Sequence, residues 1–207
     1  EESRMQTMNQ SLAAHVLNNS WSAIGTLCNP EFDGDLRALR AAGILPVFAA
    51  GAGGPVSPAD SPEAFAVGAL AVDGESVYFD SAFGPSICGG QEAIYPQVSA
   101  PGEAILTTDL FGLYSTLDGT SLAAAHASGA LALMLSADPA LTADEQEARL
   151  LETAVDLGQP GPDNEFGYGR INIAAAVDSA SAPDPTLLMI VVLAAMLIGV
   201  AAWQQRK

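Results

Sequence analysis

A serine in a setting that suits nucleophilic chemistry stands at position 121, within the run GTSLA at residues 119–123. The alanine- and leucine-rich segment 120–137 is predicted to be one helix, and Ser121 lies at its start. Free backbone N–H groups and the positive end of the helix dipole would face any negative charge that develops there. The pattern is compatible with a nucleophilic serine, but a serine or threonine that only caps a helix packed in a core gives the same local sequence and is the simpler interpretation of this segment alone.

Strand-length apolar runs alternate with helical segments along the chain, and these elements must position Ser121. Strands are predicted at 15–19, 44–50, 64–70, 76–79 and 97–100, and helices at 5–14, 35–42, 120–137, 142–153 and 171–179. Thr142 and Glu145 have the spacing of a capping box. Strands that are apolar on both faces and alternate with helices predict an α/β fold with a parallel sheet.

Eight segments together resemble one protease family. They are, in chain order, HVLNNSWS at 15–22, LPVFAAG at 45–51, SPEAFAVGAL at 61–70, SAFGPSICGG at 81–90, VSAPG at 98–102, GTSLAAAHASG at 119–129, 138–142 and NEFGYGRI at 164–171. Their types and order resemble the subtilisin family, in particular its bacillopeptidase-like branch, over roughly residues 5–180. The resemblance implies the C-terminal part of a catalytic domain, with a partial subtilisin-like parallel sheet and flanking helices.

The resemblance also implies roles for individual residues. Ser121 matches the nucleophile of a serine endopeptidase, and the walls of its substrate cleft match Ser20, Trp21, Ala50 and Gly51. An extended peptide would bind these walls by strand addition.

The general base that a serine nucleophile needs is expected to be missing from these 207 residues. His15 and His126 are the two histidines of the chain. His126 matches a packing residue of the family and lies more than one helical turn beyond Ser121. His15 falls on the cleft strand. The matching Asp and His of the family would precede Glu1.

The sequence departs from the family pattern at the oxyanion site. Ala52 occupies the position of the asparagine that donates a hydrogen bond to the oxyanion, and its methyl group has no donor. Ala125 stands where proline is usual, and Ser22 where glycine is common. Two functions therefore stay open: a membrane-anchored serine endopeptidase, or a catalytically inactive accessory or structural subunit of a membrane complex.

Cys28 and Cys88 are the two cysteines, and in an extracytoplasmic protein a pair suggests a disulfide, with two free thiols as the alternative. Neither has a second cysteine or a histidine close by, so a zinc site is not expected. The acidic run 31–35 resembles calcium-binding loops of the family, but a solvated loop is the simpler interpretation. No metal and no cofactor is therefore expected.

The charge of the chain excludes one class of partner. It has 24 acidic and 7 basic residues, a formal net charge of −17, and two of the basic residues are Arg206 and Lys207. A body this acidic repels phosphate backbones, so a nucleic-acid partner is not expected.

Residues 187–203 are uncharged and mostly aliphatic. As a helix they would span roughly 25 Å, close to the ~30 Å hydrocarbon core of a bilayer. Trp203 suits the interface, and residues 204–207 form a polar, basic stop that favours a cytoplasmic C-terminus. The prediction is a single-pass protein with a periplasmic or extracellular body. A buried core helix and a sorting tail that begins at 179–185 are the alternatives.

The predicted organisation is a partial subtilisin-like domain at 1–178, a linker at 179–186, a transmembrane helix at 187–203 and a tail at 204–207. The chain starts at Glu1 without a signal peptide, so a preceding segment is expected to have been removed or to form part of a longer product. Strand 15–19 would then be an open sheet edge that an upstream segment, a separate chain or a partner subunit covers.

Overall fold

The computed structural model describes residues 14–23, 27–90 and 92–180. Most of the predicted helix 5–14 and the whole apolar segment 187–203 lie outside this part of the chain. The predicted domain at 1–178, linker at 179–186, transmembrane helix at 187–203 and tail at 204–207 therefore remain predictions.

Four parallel strands form the central sheet, in the order β1–β2–β3–β4. Their bounds are Leu17–Asn19 for β1, Pro46–Ala49 for β2, Phe65–Leu70 for β3 and Val98–Pro101 for β4. Phe48 pairs with Ala66, and Val67 pairs with Val98. The predicted parallel sheet is thus confirmed for the described residues.

In the described part of the chain, four α-helices accompany the sheet, with bounds Asp33–Ala41 for α1, Thr120–Ala137 for α2, Ala143–Glu152 for α3 and Ile173–Ala180 for α4. Short 3-10 turns occupy Pro30–Phe32 and Cys88–Gly90. An antiparallel hairpin of β5 (Ile105–Thr108) and β6 (Tyr114–Leu117) lies between β4 and α2.

Helix α2 packs across one face of the sheet and forms the larger core. Ala123, Ala127, Leu131 and Met134 are fully buried there, and the alanines allow the helix to lie close to the strands. On the opposite face, Leu36 of α1 packs in a second core that contains Phe48 and Ala66. The sheet is therefore apolar on both faces, which explains its near-continuous apolar strands.

Helix α3 begins with the predicted capping box. The Thr142 hydroxyl accepts from the Glu145 N–H, and the Glu145 carboxylate accepts from the Thr142 N–H. These bonds lower the pKa of Glu145, because the Thr142 N–H and hydroxyl stabilise the charged form.

The predicted strand at 76–79 is wrong, because Val77 makes only an isolated antiparallel bridge to Leu70. Asp73 Oδ1 accepts from the N–H groups of Glu75 and Ser76, so the chain turns there instead of extending. Helix α1 also starts two residues before the predicted Asp35, because a 3-10 turn capped by Asn29 leads directly into it.

Within the described residues, α2 is the one helix long and apolar enough to cross a membrane by length and composition. Its burial against the strands accounts for the same composition, because a core helix in contact with a sheet is also apolar.

Candidate active site

Three segments distant in sequence meet at the carboxyl ends of β1 and β2. The Ser20 hydroxyl donates to the carbonyl oxygen of Ser121 at 3.2 Å. The Gly51 N–H donates to Thr120 Oγ1 at 3.1 Å, and the Thr120 hydroxyl lies 3.3 Å from the Gly51 carbonyl. Ser20 and Gly51 therefore lie directly beside the start of α2.

Ser121, the second residue of α2, does not cap the helix. The N-cap residue is Gly119, whose φ of +130° suits glycine, and no side chain makes a capping hydrogen bond. Ser121 is exposed, and no described residue makes a hydrogen bond with its hydroxyl. Ser121 therefore stands in the first turn of α2, where the helix dipole favours negative charge.

A chain of hydrogen bonds holds the end of β1 against α2. The Ser128 hydroxyl donates to Asn18 Oδ1, and Asn18 Nδ2 donates to Ser20 Oγ, both at 3.1 Å. The Ser20 hydroxyl in turn donates to the Ser121 carbonyl, so these hydrogen bonds connect β1 to α2 at two points. Asn18 and Ser128 are not predicted from the sequence, where the one signal is a pair of asparagines in an otherwise apolar strand.

Trp21 and Ala50 lie in the predicted cleft walls, and both make contacts within the protein, although Trp21 is 46% exposed and Ala50 is fully buried. Trp21 Nε1 donates to Asn19 Oδ1 at 3.1 Å, and its ring packs edge-on against Phe32 and Phe48. The Ala50 N–H donates to the Val67 carbonyl, and the Ala50 carbonyl accepts from the Tyr95 hydroxyl. These contacts fix the shape of the walls.

Burial raises the pKa of the Tyr95 hydroxyl. The hydroxyl therefore stays protonated and keeps donating to Ala50 throughout the neutral range.

The loop that carries Ala52 requires glycine at its start. Gly51 has a φ of +92°, and a Cβ added there would lie 2.6 Å from Val56 Cγ2. Ala52 is exposed and has no side-chain donor, and its carbonyl accepts from the Gly54 N–H. Ala52 therefore offers no side-chain donor at the predicted oxyanion position.

Neither histidine faces Ser121. The imidazole of His126 turns back along α2, with Nδ1 2.8 Å from the Leu122 carbonyl oxygen, and this bond places the proton on Nδ1. His15 precedes β1 and, with Val16 and Leu135, lines a cavity of about 330 Å³ near the far end of α2. Among the described residues, no histidine can take a proton from Ser121.

Cys28 and Cys88 are joined by a disulfide with a Cα–Cα distance of 5.1 Å. It connects the loop after β1 to the 3-10 turn that precedes β4.

An apolar surface, here called the α2–hairpin surface, lies beside the site. It includes Leu122, Ala125 and Leu133 of α2 and Ile105 and Leu106 of β5, around a cavity of about 380 Å³. Beyond it, Leu110 and Phe111 at the hairpin tip are 97% and 86% exposed. β1 is the edge strand of the described sheet, at the opposite edge from β4.

Comparison with known proteins gives a consistent result. The model of the subtilase family, Peptidase_S8, matches residues 2–169. Bacillopeptidase F of Bacillus subtilis (strain 168) is 36% identical over 184 residues, which are 82% of this chain and 12% of that protein. The halolysin-like extracellular serine protease Nep of Natrialba magadii is 40% identical over 138 residues, 65% of this chain and 23% of that protein.

Solved structures share the fold. The self-cleaved protease domain of PatA superposes with a TM-score of 0.68 at 27% identity, covering 86% of this chain and 66% of that one. The prenylagaramide maturation protease PagA superposes with a TM-score of 0.69 at 24% identity, covering 87% of this chain and 67% of that one. At this identity the likeness shows the fold alone. The chain thus spans less than a quarter of the two curated relatives and about two thirds of the solved domains.

Proposed function

The chain belongs to the subtilase family of serine proteases, and from this premise we propose that it carries the nucleophile of a membrane-anchored endopeptidase. The observation that supports this most is the position of Ser121. It is exposed and uncapped at the start of α2, and hydrogen bonds from its neighbours connect it to the ends of β1 and β2.

In the proposed reaction, the Ser121 Oγ attacks the carbonyl carbon of an extended peptide. The peptide lies between the wall at Ser20 and Trp21 and the wall at Ala50 and Gly51, and pairs with the chain there by strand addition. The Ser121 N–H and the α2 dipole stabilise the negative charge on the carbonyl oxygen.

The base that removes the Ser121 proton is not His15 or His126, because neither ring faces the hydroxyl. We therefore assign the base to residues outside this sequence. The relatives are several times longer than this chain, which is compatible with that assignment.

Ala52 makes the proposed enzyme slow. In subtilisin, loss of the asparagine donor at this site lowers kcat by roughly 10²–10³-fold. The same deficit is expected here, because the Ala52 side chain donates nothing.

Labelling with a fluorophosphonate tests the proposal on the native, detergent-solubilised protein. Covalent modification of Ser121 is expected in the wild type and in a Ser136→Ala control, which changes an exposed serine of the same helix. Ser121→Ala should remove it. No labelling of protein with native circular dichroism would contradict the proposal.

A catalytically inactive accessory subunit of a membrane complex is the second candidate. The absence of a side-chain donor at Ala52, together with the orientation of His126, favours it. Ala52→Asn separates the two functions: it should raise the labelling rate by roughly 10²-fold in an enzyme that lacks only this donor. In an inactive subunit it should change nothing.

We also propose that residues 187–203 anchor the protein, with residues 1–178 and the linker 179–186 outside the cytoplasm and the tail 204–207 inside. The disulfide suits an oxidising compartment, and Nep is by name an extracellular protease.

Membranes washed with alkaline carbonate should retain the full chain and release a variant truncated after residue 186. Release of both forms would overturn the anchor.

A protein segment that covers β1 and the α2–hairpin surface is the proposed partner. The surface is apolar, and strand edges and apolar patches of this kind are normally covered. Hydrogen exchange at residues 16–18 in native material tests this. Slow exchange of the amides that do not bond to β2 is expected, and fast exchange would mean that the edge is open.

A further inference from the structure

A buried carboxylate lies against the disulfide, in a part of the molecule that the proposed proteolysis does not use. The Sγ atoms of Cys28 and Cys88 and a carboxylate oxygen of Asp60 all lie within 4.8 Å of one another. Asp60 is 3% exposed and Cys88 7% exposed. Asp60 is far from both cysteines in sequence, so only the fold brings the three side chains together.

Asp60 uses only half of its hydrogen-bonding capacity. Its Oδ2 accepts from the Cys28 N–H at 2.7 Å, whereas its Oδ1 is out of solvent and has no partner among the described residues. A buried acceptor without a partner is unfavourable, and such groups are rare in folded proteins. The free oxygen therefore marks a position that a ligand can occupy.

The backbone holds this group of side chains in place. The Ser86 hydroxyl donates to the Asp60 carbonyl at 3.0 Å, and the Cys88 N–H donates to the same hydroxyl at 3.3 Å. The Asp60 N–H is bonded to the Val56 carbonyl. The disulfide is therefore not the only connection that keeps Asp60 and Cys88 adjacent.

Two cavities give access to the sulfur atoms. One of about 270 Å³ is lined by Asp60, Cys88 and Glu92, and one of about 180 Å³ is lined by Cys28, Cys88 and Arg37. A small reductant and a hydrated cation can thus approach Cys88 from either side.

We propose that, after reduction of the disulfide, Cys28, Cys88 and Asp60 bind one divalent cation of the zinc class. A dithiol or phosphine supplies two electrons, the S–S bond takes them up with two protons, and two thiols form. The cation then displaces both thiol protons to solvent and binds the two thiolates and Asp60 Oδ1, with water at the fourth position.

The donor set fits such a cation. Thiolates select soft or borderline metals, and zinc also accepts a carboxylate oxygen. The divalent metal would neutralise two of the three negative charges of the ligands and give Asp60 Oδ1 the partner that it lacks. The two loops would then stay cross-linked in both redox states, by a covalent bond when oxidised and by the cation when reduced.

Cobalt(II), as a spectroscopic substitute for zinc, tests the proposal on the full chain in detergent. After reduction with a phosphine and removal of the reductant, one equivalent of Co²⁺ should produce a thiolate charge-transfer band, and Zn²⁺ should displace it. The oxidised chain should give no band. Absence of the band in the reduced chain, or a stoichiometry other than one, would overturn the proposal.

Two matched variants test whether the Asp60 carboxylate is a ligand of the cation. Asp60→Asn keeps the shape and the acceptor for the Cys28 N–H, and it should weaken Zn²⁺ binding at least about tenfold. Glu92→Gln changes an acidic residue of the same cavity outside the cluster and should bind like the wild type. Equal affinity in both variants would remove Asp60 from the site.

Protection of the thiols from alkylation gives a second test, which does not depend on the absorption band of Co²⁺. Zn²⁺ should slow the reaction of both Cys28 and Cys88 with a maleimide at least about tenfold in the wild type. Circular dichroism of the reduced chain must stay native, because the site requires the fold. Loss of that signal on reduction would count against the proposal.

Discussion

Thr120, the residue before the candidate nucleophile, joins two of the converging segments. Its buried hydroxyl is the partner of the Gly51 N–H. In Thr120→Val this N–H loses its acceptor without a change of shape, and the free energy of unfolding should fall by about 1–3 kcal/mol. Urea denaturation measures the change.

Thr120→Ser retains the hydroxyl and serves as the control for Thr120→Val. It should stay close to the wild type in stability. Equal losses in the two variants would show that the methyl group of Thr120, rather than its hydroxyl, matters.

Gly169 shows how closely one backbone segment can approach another. Its carbonyl accepts from the Ser99 N–H of β4, its φ is +114°, and an added Cβ would lie 2.1 Å from the Val155 carbonyl oxygen. Gly169→Ala should lower the free energy of unfolding by at least about 3 kcal/mol, because strain and overlap add.

Gly53→Ala is the matched comparison for Gly169→Ala. Gly53 also has a positive φ, +77°, but nothing lies within 4 Å of the added Cβ. Only the backbone strain remains, about 1–2 kcal/mol. Thermal unfolding of both variants checks the difference, and equal losses would contradict the close contact at Gly169.

Single residues differed in how far the sequence could predict them. The position of Ser121 at the start of a helix could be predicted, because neighbouring residues encode the start of a helix. Asn18, Ser128 and Asp60 were not, because each takes its role from a contact far away in the chain, 110 residues away in the case of Asn18 and Ser128. The resemblance supplied the positions of Ser20 and Gly51, and the contacts with Ser121 and Thr120 are what the structure adds.

At the scale of elements, α2 has one buried side and one open side. Leu131 is fully buried in the core, whereas Leu133, two residues later, is 53% exposed on the α2–hairpin surface. Leu131→Ala should cost about 2–5 kcal/mol of stability, because it leaves a cavity in the core. Chemical denaturation of the isolated chain measures this.

Leu133→Ala tests the open side of the same helix. In the isolated chain it should change stability by less than about 0.5 kcal/mol. If the proposed partner binds there, the same variant should weaken that association. A cost for Leu133→Ala close to that of Leu131→Ala would mean that the surface is already covered within the chain.

Elements with strong local signals were predicted best. Helix α2 has the predicted bounds 120–137, and α3 has its predicted capping box, because composition and capping act within a few residues. The strand at 76–79 failed because Asp73 closes a turn that its apolar neighbours do not reveal. The hairpin of β5 and β6 was missed because its apolar residues face outward and give no clear alternation.

At the scale of the whole molecule, the net charge of −17 is the dominant electrostatic feature. The ion pairs of the described residues involve only Arg37, Arg40 and Arg149, so most acidic side chains repel one another without compensation. Salt should therefore raise Tm as the screening length falls from ~10 Å at 0.1 M to ~3 Å at 1 M.

Scanning calorimetry in sodium chloride and in potassium chloride checks this dependence. The two salts should act alike if screening is the cause. A Tm that is flat or falls with either salt would contradict the interpretation, and a rise with one cation alone would indicate specific binding instead.

The disulfide also affects how damage to the protein is detected. It closes a loop between Cys28 and Cys88, 60 positions apart, and this loop contains α1, β2 and β3. One cut in that stretch, by the enzyme itself or by another protease, leaves both fragments covalently attached. On a non-reducing gel such nicked molecules would migrate in the same band as intact ones, and only a reducing gel or mass spectrometry would count them.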